Sequence, residues 1–406
     1  MPHVSFRQAR TFLAACEHSS VSGAAKSINR SQSSVTKSLQ ELERALDTDL
    51  FDRSSKGVSL TAFGKVLEIG ASKASETLAA ASGLLPPVFM RSSPSVSRFF
   101  QMDVSDKWLA AFLATAEHQN LAGAAEQLGI TPAAVSSNVR KLEDTLNTTL
   151  FERLPTATVP TVFARELVRH VKLAQSHLRH ACDDIAQTKG VKSGRVSVGS
   201  LPFVRTLILP KAIAAMRAEH PEIDVSTLEG PYEDLVAALR CGDIDFIVGA
   251  LRDQLQDSGL HEEALLDDEL SVIVRSGHPL QRRQTIDWPD LLDYEWILPR
   301  HGTPTRELFE QALEAQGLHC PSHVVETSSS LLLRGLLIES EQITVLSRHQ
   351  IYYDEAHGML AVLPFELPGT RRPIGITTRA NSSMAPAARL LIDAIKEVSS
   401  TLEGPP

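Results

Sequence analysis

No apolar run in these 406 residues reaches the length of a membrane span. The best candidate, LLLRGLLI at 331–338, is short and interrupted by Arg334. The opening MPHVSFRQAR has no apolar core of the kind a secretory signal needs, so none is expected. Cysteine is scarce: Cys16, Cys182, Cys241 and Cys320 are scattered, with no C-x-x-C spacing for a metal or a dithiol pair. That usage fits a reducing cytoplasm. Also missing are a G-x-G-x-x-G, a P-loop and any nucleophile placed beside a base, and His261, His278, His301 and His319 lack ligand spacing. The expectation is a protein that is not an enzyme, with no catalytic residue, metal or cofactor.

Net positive charge is lacking as well, at −9 for the whole chain. Divided by region, the deficit is local. Residues 191–406 hold 19 Lys+Arg against 31 Asp+Glu, whereas residues 1–70 hold nine against seven. The whole-chain value therefore says nothing about what the N-terminal part binds.

What is present is a phrase that occurs twice. SVSGAAKSINRSQSSVTKSLQELE at 20–43 is echoed by NLAGAAEQLGITPAAVSSNVRKLE at 120–143. Aligning residue n with n+100 needs no gap from 12 to 53, and 16 of the 42 positions are identical, among them Phe12/Phe112, Gly23/Gly123, Glu43/Glu143 and Arg53/Arg153. The register persists to Thr61/Thr161, Phe63/Phe163 and Leu67/Leu167, which marks an internal duplication.

Each unit reads as three helices and a wing. A first helix near 6–18 puts Phe6, Ala9, Phe12, Leu13 and Cys16 on one face. Ser22 is the expected cap of a short second helix whose Ala24, Ala25 and Ile28 point inward, small alanines allowing a close crossing. Asn29-Arg30 makes the turn, Ser31 caps the third helix, and Val35, Leu39, Leu42 and Leu46 form its buried face. Gln32, Ser33, Thr36 and Lys37 are left outward at its N-terminal end, a set able to reach base edges and phosphates. In the second copy Gly129 makes the turn, Thr131 caps, and Pro132 sits where a missing N–H costs nothing. Periodicity alone is equally met by two helical packing modules.

From the AA pair through LE, LF-x-R and LT-x-x-G, AAKSINRSQSSVTKSLQELERALDTDLFDRSSKGVSLTAFG resembles the winged helix-turn-helix of LysR-type transcriptional regulators. The resemblance implies base or phosphate contacts from Gln32, Ser33, Thr36 and Lys37, with Arg53 and Lys56 as backbone anchors. The second copy departs from it: Pro132, Ala133, Ser136 and Ser137 replace the outward set, Thr156 stands for Lys56 and Ala164 for Gly64. Phosphate contacts dominate affinity, so the first copy is expected to be the main reader. The second, with Ser136, Asn138, Arg140 and Arg153, is expected to be auxiliary or structural. The duplication itself is a departure from the family's single domain.

Residues 64–82 read as a helix and GLLPPVFMRSSPSVSRFFQ as a Pro/Ser-rich connector. After the second copy, Leu167, Val168, Val171, Leu178 and Ile185 recur along a helix; the resemblance makes it the long helix that pairs subunits antiparallel, implying a homodimer or homotetramer. From 194 on, strand and helix alternate, which argues an α/β parallel sheet. GRVSVGS, SVIVRSGHPL, GLLIESEQITVLSRHQ and RRPIGITTR resemble the family's effector domain, with the two-lobed fold of bacterial solute-binding proteins.

The expected fold is thus multidomain, with two all-α winged helix-turn-helix domains (1–65 and 104–165) and an α/β two-lobed periplasmic-binding-protein-like effector domain (191–406). A helix and linker fill 66–103, and the pairing helix fills 166–190. The first lobe takes about 194–268 and 369–400, the second about 269–368. Ligands bind such sheets beyond the carboxyl ends of strands, which points to Ser200, Pro202, Gly249, Leu251, Thr303, Thr305, Ser328 and Ser329. Arg205, Arg252 and Arg300 are candidate counter-charges for a carboxylate or other anion. Serines at strand ends also serve simply as helix caps. The expected function is a ligand-responsive regulator that binds a double-stranded DNA operator and contacts RNA polymerase, away from any membrane. Two alternatives stay open: an enzyme on a binding-protein-like fold, and a thiol redox sensor using Cys241 or Cys320.

Overall fold

The computed structural model describes residues 3–54, 57–84, 94–154, 157–190, 194–252, 259–380 and 384–402. Contacts group the chain into two units, the first made mainly of residues up to Gly194.

In the first unit, helices α1 (Phe6–His18), α2 (Val21–Ser27) and α3 (Gln32–Leu46) precede a hairpin, β1 (Phe51–Ser54) and β2 (Gly57–Leu60), and then α4 (Ala62–Ala80). A short helix α5 (Pro94–Phe100) leads to a second set: α6 (Asp106–His118), α7 (Leu121–Leu128), α8 (Pro132–Leu146), β3 (Phe151–Arg153), β4 (Thr158–Pro160) and the 27-residue α9 (Val162–Thr188). The first and third helices of the two sets are offset by one hundred residues at both ends.

The repeated letters have repeated physical jobs. Glu43 Oε1 accepts the Leu50 N–H at 3.0 Å, and Glu143 Oε1 accepts the Leu150 N–H at 2.8 Å, so each third helix holds the start of its hairpin. Thr61 caps α4 through the Gly64 N–H, and Thr161 caps α9 through the Ala164 N–H; such a cap contributes about 1 kcal/mol. Phe12 packs on Phe51 with ring centroids 5.3 Å apart, and Phe112 on Phe151 at 5.8 Å. Gly23 and Gly123 have no room for a side chain: a Cβ on Gly23 would stand 2.8 Å from His18 Cβ, and one on Gly123 3.0 Å from His118 Nδ1.

The inward faces match expectation: Phe6, Ala9 and Phe12, then Ala24, Ala25 and Ile28, then Val35, Leu39, Leu42 and Leu46 are buried, while Leu13 and Cys16 are half-buried. Asn29 takes a positive φ of 55°, Gly129 one of 64°, and Ser31 and Thr131 cap their helices. Three details differ. Ser20, not Ser22, caps α2, accepting the Gly23 N–H at 3.1 Å; Ser22 lies inside the helix, and Asn120 caps α7 likewise. Part of the connector is α5, because Phe99 and Phe100 need burial and find it in the helical core; residues 85–93 lie outside the described residues. Finally, the apolar stripe of α9 is covered by α4 of the same chain, so that stripe is not open to a second subunit.

Among the described residues the second unit holds two five-stranded sheets. One has the order β6-β5-β7-β14-β8, from β5 (Gly194–Ser200), β6 (Ile223–Glu229), β7 (Phe246–Ala250), β8 (Leu260–Asp268) and β14 (Arg372–Arg379). The other has the order β11-β10-β12-β9-β13, from β9 (Leu270–Arg275), β10 (Trp296–Leu298), β11 (Val324–Glu326), β12 (Ile343–Ser347) and β13 (Leu360–Val362). The helices are α10 (Ile208–Glu219), α11 (Tyr232–Cys241), α12 (Trp288–Leu292), α13 (Pro304–Glu314), α14 (Ser330–Glu339), α15 (Tyr352–Ala356) and α16 (Pro386–Ser400). Neither sheet is all parallel, contrary to expectation. β5 and β7 run parallel, but β14 is antiparallel to β7 and β8, and β9 to β12 and β13. The reason is connectivity: the chain leaves the first sheet through β8 and re-enters through β14, and a returning strand arrives reversed. Only Glu269 separates β8 from β9, so the two sheets are joined almost without a loop.

Candidate nucleic-acid interface and effector site

At the N-terminal end of α3, Gln32 and Ser33 are exposed and Thr36 is half-buried, its hydroxyl donating back to the Gln32 carbonyl at 2.9 Å. The Lys37 side chain is 78% exposed, with its ammonium 3.9 Å from Glu41. An exposed pair at that distance holds the lysine weakly, so it is available to a phosphate. The Arg53 side chain and Lys56 fall outside the described residues. At the matching end of α8, Ser136 and Asn138 are half-buried and Arg140 and Arg153 exposed. Arg153 donates to the Ser136 hydroxyl at 3.5 Å, tying hairpin to helix in this copy. The second copy thus spends part of its small polar set on itself.

In the second unit the predicted residues divide. Ser200 is buried, and its carbonyl and hydroxyl accept from Arg205 Nε at 3.1 and 3.3 Å. Arg205 also meets Glu229 at 3.3 Å, and burial pushes its pKa down. Its charge is therefore already answered. Pro202 begins the 3-10 turn Pro202–Arg205. Gly249 (φ 151°) faces Leu201, whose Cβ would lie 2.4 Å from an added Cβ; backbone conformation and packing together account for this glycine. The Leu251 N–H is used by the Pro373 carbonyl. The Thr303 hydroxyl donates to the carbonyl of the exposed Arg300, and Ser329 caps α14, while Ser328 is exposed. Arg252 stands apart: its guanidinium lies over the Tyr232 ring at 4.6 Å, and its Nε is buried with no hydrogen-bond partner among the described residues.

One cluster escaped the sequence reading. Asp268, the last residue of β8, accepts the Ser347 hydroxyl at 2.6 Å and Arg372 at 3.3 Å. Arg372 also donates to Thr305 at 2.6 Å. Asp268 and Arg372 are buried, and burial pushes the carboxyl up and the guanidinium down from their usual values. Thr305, expected beside a ligand, instead belongs to this cluster at the crossing between the sheets. No alternation or capping pattern announces such a group; its members come from four separate segments.

Among the described residues no cluster of His, Cys, Asp or Glu could hold a metal, and no helix is long and apolar enough to cross a membrane. All four thiols are pushed up by burial, Cys16 and Cys182 to about 12.

Paired helix-turn-helix sets ahead of an α/β unit define a DNA-binding regulator, and comparison with known proteins bears this out. The pattern described as "Bacterial regulatory helix-turn-helix protein, lysR family" matches residues 6–65 and again 107–165, and the "LysR substrate binding domain" matches 189–400. The HTH-type transcriptional regulator GalR of Pseudomonas putida is 35% identical over 96% of both chains. PcaQ of Agrobacterium fabrum, also an HTH-type transcriptional regulator, is 31% identical, but 94% of its length is matched by only 72% of this chain. Among solved structures, a full-length OxyR from Pseudomonas aeruginosa superposes with a TM-score of 0.53 at 26% identity, covering 72% of this chain and 95% of that one. CbnR, a LysR family regulator, shares the fold with a TM-score of 0.53 at 19% identity over 73% of this chain and 99% of its own. The chain belongs to the LysR family of transcriptional regulators: it binds DNA through helix-turn-helix elements and responds to a small molecule through its C-terminal domain.

Proposed function

We propose that α3 is the principal reading helix, that α8 is a second and weaker one, and that an anionic effector sits at the switch between the two sheets. The observation that carries the reading is the N-terminal end of α3. Its apolar side is fully committed to the core, while Gln32, Ser33 and Lys37 have no such commitment. Glutamine bidentate to adenine and lysine to guanine or phosphate are the contacts such a set makes in a major groove. Arg53 and Lys56 are assigned to the flanking backbone, and Arg140 and Arg153 supply the cations on the second copy.

For the effector, Arg252 is the favoured counter-charge, because its Nε has no hydrogen-bond partner among the described residues whereas Arg205 is matched by Glu229. Ser200, Thr303, Ser328 and Ser329 line the same ends of the two sheets in this reading, with lobe boundaries near 269 and 369 and a binding-protein-like cleft between. Effector binding shifts the balance between two arrangements of the lobes, and operator and RNA polymerase respond through that shift. Association of whole chains into dimers or tetramers uses surfaces other than the stripe of α9 that α4 covers.

The test is a measurement of affinity for duplexes enriched from a random pool. Gln32→Ala with Lys37→Ala is expected to weaken binding at least about tenfold, as loss of a bidentate base contact and a phosphate contact requires. Unchanged affinity and unchanged enriched sequence would remove α3 from the reading role. In a thermal-shift screen of small carboxylates, Arg252→Ala should abolish whatever stabilisation wild type shows.

A further inference from the structure

The two long helices that follow the two hairpins carry one stripe. In α4 and the 3-10 turn that extends it (Ala81–Leu84), Gly64, Leu67, Ala71, Ala74, Leu78 and Ala81 are buried. One hundred residues on, Ala164, Leu167, Val171, Ala174, Leu178 and Ala181 are buried as well. Four of these six pairs are the same amino acid, and glycine and alanine dominate the rest. The stripes face each other, since α4 and α9 form the most extensive helix–helix contact among the described residues.

Their directions follow from two contacts. A Cβ on Gly70, in the first half of α4, would stand 2.5 Å from the Cβ of Ala181, near the end of α9. The Lys189 ammonium, just past α9, donates to the Asp47 carboxylate at 2.8 Å and to the Leu46 carbonyl at 3.3 Å. Lys189 thus sets the end of α9 at the end of α3, while Gly70 lies against Ala181 and the turn after α4 still touches α9; a parallel pair would carry that turn past the end of α9, so the pair runs antiparallel. An element that packs antiparallel on its own copy, with matching positions buried on both, makes the contact of a two-fold dimer. Under that symmetry the Gly70–Ala181 contact has a mate near Ala81 and His170, and the turn Ala81–Leu84 does touch α9.

Further ties lock the copies together. Asp103, ahead of α6, meets Arg7 at 3.2 Å, Arg10 at 3.1 Å and Arg30 at 3.5 Å, all in the first copy. Asp106 accepts the Phe6 N–H at the start of α1. Lys189 closes the carboxyl end of α3, a favourable place for a cation.

We propose that a single chain is a complete two-headed DNA reader: the pairing that the resemblance assigns to two subunits is made inside one chain, and its target is a pair of unlike half-sites. The inference rests on the DNA-reading role of α3. Two identical subunits require an operator of two equal halves. Here the heads present different side chains, Gln32 and Lys37 on one against Pro132 and Ser137 on the other. One chain therefore selects an asymmetric site, with the weaker half read by Asn138, Arg140 and Arg153.

The experiment enriches duplexes from a random pool with the full-length protein. It then footprints the selected duplex and measures chains per duplex by sedimentation. Three proteins are compared: wild type, Gln32→Ala/Lys37→Ala, and Asn138→Ala/Arg140→Ala. The expected result is two dissimilar half-sites, one chain for each such pair, and loss of protection over one half with each variant. Two chains on mirrored copies of the unlike pair give the same support. An inverted repeat of equal halves, with both halves erased by the first variant, overturns the proposal. So does protection that the second variant leaves untouched. If no sequence is enriched at all, the reading role of α3 falls and takes the inference with it.

Discussion

The hydroxyl of Ser347, at the end of one sheet, donates to the carboxylate of Asp268, at the end of the other, across 2.6 Å. Arg372 lies on the same carboxylate from the strand paired with it. These side chains sit where the chain passes between sheets, so the crossing is fastened by buried polar groups that must satisfy one another.

Asp268→Ala leaves the Arg372 guanidinium buried without its counter-charge, and should destabilise the second unit by about 3–5 kcal/mol. Asp268→Asn should cost less. The pH dependence separates them from wild type. The carboxyl is raised by burial, so in the window above the ordinary carboxylate value the folded chain holds a proton that the unfolded chain releases. The proton-linked part of the Asp268 contribution is thus fully present below the ordinary carboxylate value and lost as pH rises through its raised value, above which the pairing with Arg372 and Ser347 remains. In urea titrations the difference between wild type and Asp268→Asn should shrink over that rise; a flat difference would contradict it.

Gly64 and Ala164 occupy equivalent places with unequal room. An added Cβ on Gly64 would come 2.2 Å from the Leu50 carbonyl oxygen, while Ala164 is accommodated and fully buried. Gly64→Ala should cost about 1–3 kcal/mol through forced displacement. Ala164→Gly should cost no more than about 1 kcal/mol. Denaturation midpoints of the two variants decide it, equal shifts counting against the argument.

Removing the carboxylate from either third helix tests the clasp to the hairpin. Glu43→Ala and Glu143→Ala should each destabilise the first unit by about 1–3 kcal/mol, the cost of stranding an N–H that had a charged acceptor. The glutamine variants retain an acceptor and should recover most of that loss. Hydrogen exchange at the Leu50 and Leu150 amides is the direct readout.

Thiol reactivity should be low in the folded state. Only the thiolate attacks, and with Cys16 and Cys182 pushed up to about 12 a neutral reagent at pH 8 should leave both unmodified until denaturant is added. Cys241 and Cys320 are raised too, so mild peroxide should leave DNA affinity unchanged. A peroxide-dependent change abolished by Cys320→Ser would restore the redox-sensor alternative.

The helical half was the more legible part of the chain. Val35, Leu39, Leu42 and Leu46 recur at helical spacing, and Asn29, Ser31, Gly129 and Thr131 are side chains whose turn and cap chemistry is local. Local chemistry is ambiguous at one cap: Ser20 and Ser22 carry the same hydroxyl, and the structure gives the role to Ser20. The sheets were less legible. Alternation in GRVSVGS marks a strand, but no letter states that β14 returns antiparallel. Arg205 and Thr305 looked free in the sequence because Glu229 and Arg372, which engage them, are 24 and 67 residues away. The α4 stripe leaves little signal in the sequence because Gly70, Ala71 and Ala74 are small; the structure buries all three, and a Cβ on Gly70 would stand 2.5 Å from that of Ala181.

The contact between α4 and α9 also changes how this chain can vary. In an assembly of identical subunits every substitution appears on both sides of the axis at once, so a change that suits one side must be tolerated on the other. Here the two sides are separate letters of one sequence, and Leu67 and Leu167 can remain alike while Lys37 and Ser137 part company. Since both sides are covalently joined, their meeting is also independent of how many molecules a cell contains.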